Sequence, residues 1–377
     1  MKQILTSSCT GFRIHLFCYN LVESTTNPAM KINDITLVSF RNFKKSSFKF
    51  GDFLTLVIAE NAKGKTNLLE AVYTVVNGTG FRESRESELI LWDAPDCIID
   101  SDFSDGEYKS KFQIRLTKTA ENRVQKKYFI NKTHKSSSQY QKNQTQSVLF
   151  APEQIRIVTG SPSRKRRYFD VVLSSVDPDY KKSLRYFENA LRRRNKLLEN
   201  YENMKVLEDQ IGYWNDLLIS YGSAIFKKRQ MYADFLNGNP DVDDKYFQVK
   251  YLKNEFSKER LKNVQEREIR FRRTLIGPQK DDFVFYLGKD SPKDAGLYGS
   301  RSEQRMAVFW LKLNELLFFE KKSGQKPILL LDDVFSELDE NNRKLVMGMI
   351  KKYQTIATTT EDEIVDLSQM PEETIRL

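Results

Sequence analysis

A segment of eight residues in the first quarter of the chain has the spacing of a phosphate-binding P-loop. It lies between an apolar stretch, Phe53 to Ile58, which predicts a buried strand, and a helical repeat of apolar residues that starts at Leu68. A strand, then such a loop, then a helix is the context that a P-loop requires. The residues that we predict to bind a nucleotide are Ala59, Glu60, Asn61, Ala62, Lys63, Gly64, Lys65 and Thr66.

Two side chains of this loop have predicted roles in the chemistry. Backbone amides and the positive end of the following helix favour phosphate binding. Lys65 is predicted to reach the β- and γ-phosphates as a catalytic residue, and the Thr66 hydroxyl to ligate Mg²⁺. Ala59 stands where the pattern usually has glycine, which would cost up to about 1 kcal/mol if the turn needs a positive φ there. The alternative is a chance match in a basic loop.

An acidic pair follows an apolar run later in the chain. Ile328 to Leu331 predicts a buried strand that ends in Asp332 and Asp333, and Ser336 to Asp339 follow it. This pattern is typical of a Walker B strand and its D-loop. We predict that Asp332 holds Mg²⁺ through water and that Asp333 is the catalytic base that orients the attacking water. Because apolar strands often end in acidic turns, the pattern is specific only in conjunction with the P-loop.

The third element lies shortly before that strand. Gly299 to Arg305 precede a largely apolar helix, Met306 to Leu317, as in an ABC signature motif. In such ATPases the serine and the helix N-terminus of one subunit face the γ-phosphate bound by the other, so Ser300 is predicted to bind the nucleotide of a partner subunit. Ser302 replaces a glycine, which would loosen the approach and slow hydrolysis. The alternative is a plain helix cap at Ser300 or Ser302.

The order of patterns predicts the domain organisation. Alternating steps of three and four between apolar residues, from Asp177 to Leu236, predict two antiparallel helices packed as a hairpin, each roughly 45 Å long. The predicted fold class is therefore α/β: an ABC-type P-loop ATPase head with an inserted short antiparallel helical arm. The predicted units are an N-terminal extension at 1–29, upstream of a start at Met30 or packed on the core; ATPase lobe I at 30–176; the arm at 177–270; and an ATPase return segment at 271–377.

Composition and charge narrow the partners. Lys and Arg number 61 against 51 Asp and Glu, a net charge of +10, which favours a polyanion such as nucleic acid or an anionic membrane surface. Solvated surfaces are the alternative reading of any one basic cluster. The clusters are Arg164 to Arg167; Arg192 to Arg194; Arg270, Arg272 and Arg273; and a predicted ribbon from Glu107 to Ile130 with one cationic face, formed by Lys109, Lys111, Arg115, Lys126 and Lys127.

The few cysteines and histidines argue against a disulfide-stabilised protein and against a metal site or a catalytic site built on these residues. Three cysteines give no disulfide framework and no paired metal-ligand spacing. With two histidines in the whole sequence, we do not expect histidine-based catalysis. No apolar run approaches a membrane span, and the first residues lack the order of a secretory signal. We therefore expect a cytoplasmic protein with no membrane partner.

Several phrases of the sequence resemble the RecF family, from Met30 to near the C-terminus. Gln279 and Lys280 stand where that family usually has histidine and arginine, and Thr358 to Thr360 offer no histidine switch. Those departures bear on the pace of hydrolysis more than on the fold. The phrases are Leu149 to Gln154, Gly160 to Asp170, Gly277 to Asp282, Phe81 to Arg85 and Phe40 to Phe43.

The resemblance implies a function that composition alone does not. It implies an ATP- and Mg²⁺-dependent homodimer that binds double-stranded DNA, especially at single-strand/double-strand junctions, and works with RecR and RecO to load the recombinase at gaps. It also implies a nucleotide contact for Arg41 and a weak, DNA-stimulated ATPase activity. Two alternatives stay open: a nucleotide-binding adaptor with negligible ATPase activity, and a metabolic P-loop kinase, which would have no use for the signature motif or the arm.

Overall fold

The computed structural model describes most of the chain beyond residue 29. The described residues are 30–82, 85–119, 123–142, 145–242, 244–335, 340–360 and 371–377. The predicted N-terminal extension at 1–29 and the predicted D-loop, Ser336 to Asp339, lie outside these ranges.

A parallel sheet of five strands carries the nucleotide-binding motifs. The strand that precedes the P-loop and the strand that precedes the acidic pair are buried along their whole length, as their apolar sequences predict. Because all the strands are parallel, the P-loop and the acidic pair leave the sheet at the same edge. The strands, in spatial order, are Glu373–Arg376, Leu54–Ile58, Thr355–Thr359, Ile328–Leu331 and Ser147–Phe150.

A six-stranded antiparallel sheet packs over the other side of the P-loop helix, Lys65–Asn77. The strands Asp96–Ser104 and Lys109–Lys118 bury alternate residues, so that one face of the sheet meets the helix. A bulge between Ile32 and Asp34 shifts the register, which accounts for the step of three between the buried Ile32 and Ile35. In spatial order the strands are Phe43–Lys49, Lys31–Phe40, Asp96–Ser104, Lys109–Lys118, Val124–Ile130 and Thr133–Lys135.

The predicted ribbon exists within this sheet, but its cationic face is smaller than predicted. Arg115 and Lys127 are exposed cross-strand partners on one face. Lys126, the next residue, points to the opposite face, where its ammonium lies 2.6 Å from Glu86 with only 8% of the side chain exposed. Including Lys126 in the cationic face was therefore wrong, because neighbouring residues of a strand point to opposite faces.

The helical arm is confirmed as a hairpin of two helices. Pro178–Asn200 and Met204–Asn237 lie side by side, and Asp177 and Asn203 cap their first turns through hydrogen bonds to backbone amides. The buried seam between and behind them follows the predicted spacing: Tyr180, Phe187, Leu198, Leu207, Leu218 and Ile225 are all buried.

The predicted return of the α/β pattern at Phe271 is wrong. A four-stranded antiparallel sheet begins earlier, directly after the hairpin, and the helix Lys258–Phe271 lies between two of its strands in sequence. The alternation around Phe247 and Val249, both buried, is a strand signal that the helical periodicity before it obscured. The strands, in spatial order, are Lys293–Asp294, Asp282–Leu287, Lys245–Leu252 and Asp241–Val242.

The signature helix, Arg301–Ser323, is longer than the predicted Met306 to Leu317 and is buried along most of its length. It packs against the strand Ser147–Phe150 and the helix Pro162–Val176. In the described part of the chain, no helix combines the length and apolarity that crossing a membrane requires. The remaining helices are Glu86–Leu89, Ser137–Lys142, Pro152–Ile155, Arg156–Thr159, Pro278–Lys280, Ala295–Tyr298 and Glu340–Ile350.

Candidate nucleotide-binding site

The P-loop turns through two residues with left-handed backbone conformation. Ala62 has a φ of 65° and Gly64 a φ of 109°. The backbone angle requires glycine, and a Cβ atom at position 64 would lie 2.6 Å from Nδ2 of Asn42 and would displace that side chain. Ala59 does not have a positive φ. The cost expected from its replacement of glycine therefore does not arise there, and the strained alanine is Ala62.

Lys65 lies in the first turn of the P-loop helix with its side chain folded back over the loop. Its ammonium donates a hydrogen bond of 2.9 Å to the carbonyl of Ala59 and lies 3.5 Å from Oδ1 of Asp333. Only 4% of the side chain is exposed. The ammonium thus lies between the predicted phosphate loop and the predicted catalytic base.

Asp332 and Thr66, the two predicted Mg²⁺ ligands, are in direct contact. Thr66 Oγ1 donates to Oδ1 of Asp332 at 3.0 Å, and Thr358 Oγ1 donates to the same oxygen at 2.9 Å. Thr358 Oγ1 also accepts a hydrogen bond of 2.9 Å from the backbone amide of Asp333. Asp333 has a φ of 47°, so this bond holds it in a sparsely populated conformation.

The electrostatics of Asp332 suit a cation. Burial raises the pKa of its carboxyl above the ordinary value, the hydrogen bonds from Thr358 and Thr66 lower it, and the negative charges of Asp333 and Glu153 raise it further. Both hydrogen bonds come from neutral hydroxyl groups, so the charge is solvated but not neutralised. A carboxylate beside a hydroxyl is a donor set that Mg²⁺ accepts, with water and phosphate oxygens as its other ligands. The described residues hold no group of three or more His, Cys, Asp or Glu that could bind a metal alone.

Sequence reasoning missed two residues of this site. Thr358 was considered only as the place of an absent histidine, and Glu153 only as part of a family phrase. A signal for Thr358 was available, because Leu331 and Ala357 are partners in parallel strands and the residues after them must be neighbours. Glu153 follows the neighbouring strand Ser147–Phe150, in which Phe150 is the partner of Leu331, so parallel pairing also places it near this edge.

Arg41 faces a buried carboxylate of the P-loop helix. Its Nε and Nη2 atoms donate to the two carboxylate oxygens of Glu70 at 2.9 and 3.1 Å, and 14% of its side chain is exposed. This is the bidentate geometry that a guanidinium and a carboxylate prefer. A direct contact between Arg41 and a nucleotide stays a prediction.

Ser300 caps the signature helix. Its hydroxyl accepts a bond of 3.3 Å from the amide of Glu303, and the Glu303 carboxylate accepts one of 2.7 Å from the amide of Ser300. Lys293, hydrogen-bonded to that carboxylate, and the Ser300 amide lower the pKa of Glu303. The hydrogen bonds at the exposed N-terminus of this helix are those of a helix cap, the alternative given above for Ser300. A contact between Ser300 and the nucleotide of a partner subunit stays a prediction.

This organisation, with phosphate loop and acidic pair at one edge of a parallel sheet, places the molecule among the ABC-type P-loop ATPase heads. A family model described as the RecF/RecN/SMC N terminal domain matches residues 31–375. The chain resembles the DNA replication and repair protein RecF of Natranaerobius thermophilus, with 32% identity over 89% of this chain and 92% of that protein. For the same protein of Clostridium novyi the identity is 30% over 92% and 97%.

Solved structures of RecF are similar to this chain as well. The recombination mediator protein RecF bound to ATP, from the RecFOR pathway, matches with a TM-score of 0.80 and 29% identity over 89% of this chain and 93% of that one. Its complex described as RecF-ATPrS matches with a TM-score of 0.82 and 28% identity over 94% and 98%. The chain belongs to the RecF family.

Proposed function

We propose that this protein binds ATP and Mg²⁺, closes into a homodimer around ATP on double-stranded DNA, and acts in recombinational repair and replication-fork maintenance. The observation that supports it most directly is the contact of Thr66 with Asp332, with Lys65 and Asp333 adjacent. The relatives' description as DNA replication and repair proteins, and the ATP-bound state of a similar structure, support the same function.

In the proposed reaction the chain's own groups bind and orient the nucleotide. Lys65 exchanges its bonds to Ala59 and Asp333 for oxygens of the β- and γ-phosphates. Thr66 and Asp332 would hold Mg²⁺, which neutralises charge on the phosphates when it is bound. With Lys65 turned to the phosphates, the carboxylate of Asp333 would orient a water molecule for attack.

The dimer follows from the position of the signature helix. Ser300, Arg301 and Ser302 are exposed, so a nucleotide on a second subunit can approach the backbone amides of Arg301 and Ser302 at the start of this helix. Each subunit would complete the pocket of the other. We further propose RecR and RecO as partners, which the RecFOR pathway named for the similar ATP-bound structure supports.

The basic clusters differ in what they offer to DNA. Arg194 is buried, 2.6 Å from Glu268, and cannot contact a duplex. Arg192 and Arg193, in the same cluster, are exposed. Exposed cations on rigid elements suit phosphate contacts that do not depend on base sequence, so duplexes and gap junctions are the proposed ligands. Among the other predicted clusters, the exposed cations are Lys109, Lys111, Arg115, Lys127, Arg167, Arg270, Arg272 and Arg273.

The test is a titration of duplex and gapped DNA with the unaltered chain and with Lys65→Met, each with ATP and Mg²⁺ at several salt concentrations. The unaltered chain should bind more tightly, and its affinity should fall with salt by a slope of about 0.9 per phosphate neutralised. Equal affinity of both proteins would contradict gating by ATP.

A second experiment measures phosphate release from ATP, with and without DNA, for the unaltered chain and for Asp333→Asn. It separates a DNA-stimulated ATPase from the nucleotide-binding adaptor, which would show no Asp333-dependent turnover.

A further inference from the structure

One buried carboxylate beside the P-loop takes no part in the chemistry above. Glu70 lies on the P-loop helix, and its side chain is 0% exposed. Arg41 binds both of its oxygens, and Nη1 of Arg82 lies 3.5 Å from Oε2. A fully buried charge is costly unless it is paired and hydrogen-bonded, and here two guanidinium groups share it.

Arg41 and Arg82 also belong to a ring that reaches the P-loop backbone. Arg41 is followed in the chain by Asn42, and polar side-chain contacts join the rest of the ring. Asn42 Nδ2 donates to the carbonyl of Lys63 at 3.2 Å, and Asn67 Nδ2 donates to Oδ1 of Asn42 at 2.8 Å. Arg82 Nη1 then donates to Oδ1 of Asn67 at 2.9 Å and lies beside Glu70, which closes the ring. We call Glu70, Arg41, Asn42, Asn67 and Arg82 the Glu70 ring.

The ring joins an exposed loop to a buried anchor. The loop residues from Glu60 to Lys63 are exposed, so the hydrophobic core does not fix their conformation. Asn42 lies directly against Gly64, close enough that a Cβ there would be 2.6 Å from its amide nitrogen. Arg41, the residue before Asn42, has a φ of 49°, a conformation that persists only when its surroundings hold it. The bidentate bond to Glu70 holds the side chain of Arg41, and its backbone amide donates a hydrogen bond of 2.9 Å to the carbonyl of Leu89.

We propose that Glu70 is a positioning residue for the nucleotide. Through Arg41 and Arg82 it fixes Asn42 against Lys63 and Gly64, and so keeps the P-loop in its phosphate-binding conformation before ATP arrives. A binding loop that is already ordered loses less entropy when the ligand binds. The inference rests on the proposed binding of ATP at this loop and adds what organises it.

The central test compares ATP binding by calorimetry, with Mg²⁺ present, for the unaltered chain, Asn42→Ala and Glu70→Gln. Losing the contact between Asn42 and the loop should raise the Kd for ATP about tenfold, the usual effect of one hydrogen bond to a binding element. Glu70→Gln should raise it by at least as much. Turnover at saturating ATP should stay within about twofold, because neither change touches Lys65 or Asp332. A purely structural role would instead lower the active fraction and leave the Kd unchanged.

Two further variants sharpen the comparison. Arg41→Lys keeps the positive charge but removes the fork that holds both carboxylate oxygens, so it should weaken ATP binding like Asn42→Ala. Asn200→Ala removes another exposed asparagine that bonds a backbone carbonyl, at the end of an arm helix, and should bind ATP as the unaltered chain does. Asn42 is exposed, so its variant should fold even if Glu70→Gln does not.

The outcomes separate the two proposals. Binding of ATP by the unaltered chain, together with an unchanged Kd for folded Asn42→Ala and Arg41→Lys, would overturn the role of the Glu70 ring alone. A chain that binds no ATP at all would overturn the proposed function, and the role of the ring with it. A raised Kd with near-normal turnover supports both.

Discussion

Two clusters of aspartates in this molecule differ in what balances their negative charge. At the base of the arm, Arg229 binds both oxygens of Asp170 at 2.8 and 3.0 Å and one oxygen of Asp281 at 2.7 Å. Its side chain is 2% exposed. Tyr180 and Tyr251 donate further hydrogen bonds to the same two carboxylates. This cluster contains its own cation.

At the nucleotide site, by contrast, Asp332 is held by two neutral hydroxyl groups, and its pKa is raised by burial. The difference teaches which cluster stabilises the fold and which is prepared for a ligand. Asp170 and Asp281 belong to two of the phrases that resemble the RecF family, Gly160 to Asp170 and Gly277 to Asp282, so those phrases secure the arm on the head. Asp332 leaves a charge for the cation that we propose to bind with the nucleotide.

The largest expected effect is on the arm cluster. Arg229→Met should lower the free energy of unfolding by about 3–5 kcal/mol, because it leaves the buried Asp281 and the half-buried Asp170 without their guanidinium partner. Urea denaturation of the full chain measures this. Arg192→Met, an exposed arginine on the arm, is the control and should change stability by less than about 0.5 kcal/mol. Equal, small effects of both variants would show that the cluster is not a stabilising element.

Asp332→Asn should separate stability from activity. Both threonine hydroxyls can still donate to an amide oxygen, and a buried charge is removed, so stability should stay equal or rise by up to about 1 kcal/mol. Mg²⁺-dependent ATP hydrolysis should fall roughly 100-fold or more. A large loss of stability in denaturation without nucleotide would contradict the contrast with Arg229.

The raised pKa of Asp332 also predicts a pH dependence. In the folded protein the carboxyl binds a proton more readily than in the unfolded chain. Its contribution therefore lowers the free energy of unfolding as the pH rises from the ordinary aspartate range through the raised pKa. Subtracting the Asp332→Asn curve from that of the unaltered chain, without nucleotide, isolates this contribution. A difference that is flat, or that rises with pH over this range, would be inconsistent with a raised pKa.

The smallest effect concerns the hydroxyl behind Asp332. Thr358→Val removes one donor to the carboxylate and the acceptor of the Asp333 amide, and should cost about 1–2 kcal/mol of stability and roughly tenfold in turnover. Thr355→Val, in the same buried strand, serves as the control, because the hydroxyl that it removes donates to the carbonyl of Tyr353 and not to Asp332. It should lose stability but keep turnover, and parallel losses of turnover would refute a specific role for Thr358.

The features that the sequence predicted correctly are those encoded by local patterns. The P-loop strand, the acidic pair, the arm seam and the capped signature helix are each encoded within short segments, and the structure contains all four. The meeting of the P-loop and the acidic pair at one edge of a sheet followed from parallel pairing. Tertiary contacts were less accessible: no local pattern links Arg229 to Asp170 and Asp281, or Glu70 to Arg41, because those pairs are distant in sequence and depend on the completed fold.

Errors arose where one periodicity masked another. The arm's helical repeat hid the strand Lys245–Leu252, and Lys126 was assigned to a face that strand alternation excludes. Arg194 was counted with exposed arginines, although its position on the arm helix turns it toward Glu268. In each case the composition of a segment was read without the direction in which its side chains point.

The most direct test of the central claim is sedimentation velocity of the full chain with ATP and Mg²⁺, with ADP and without nucleotide, beside Lys65→Met. The account predicts a dimer only for the unaltered chain with ATP, strengthened by duplex DNA, and monomers in every other condition. A single-copy species at saturating ATP, or a dimer that forms equally well without nucleotide, would contradict it.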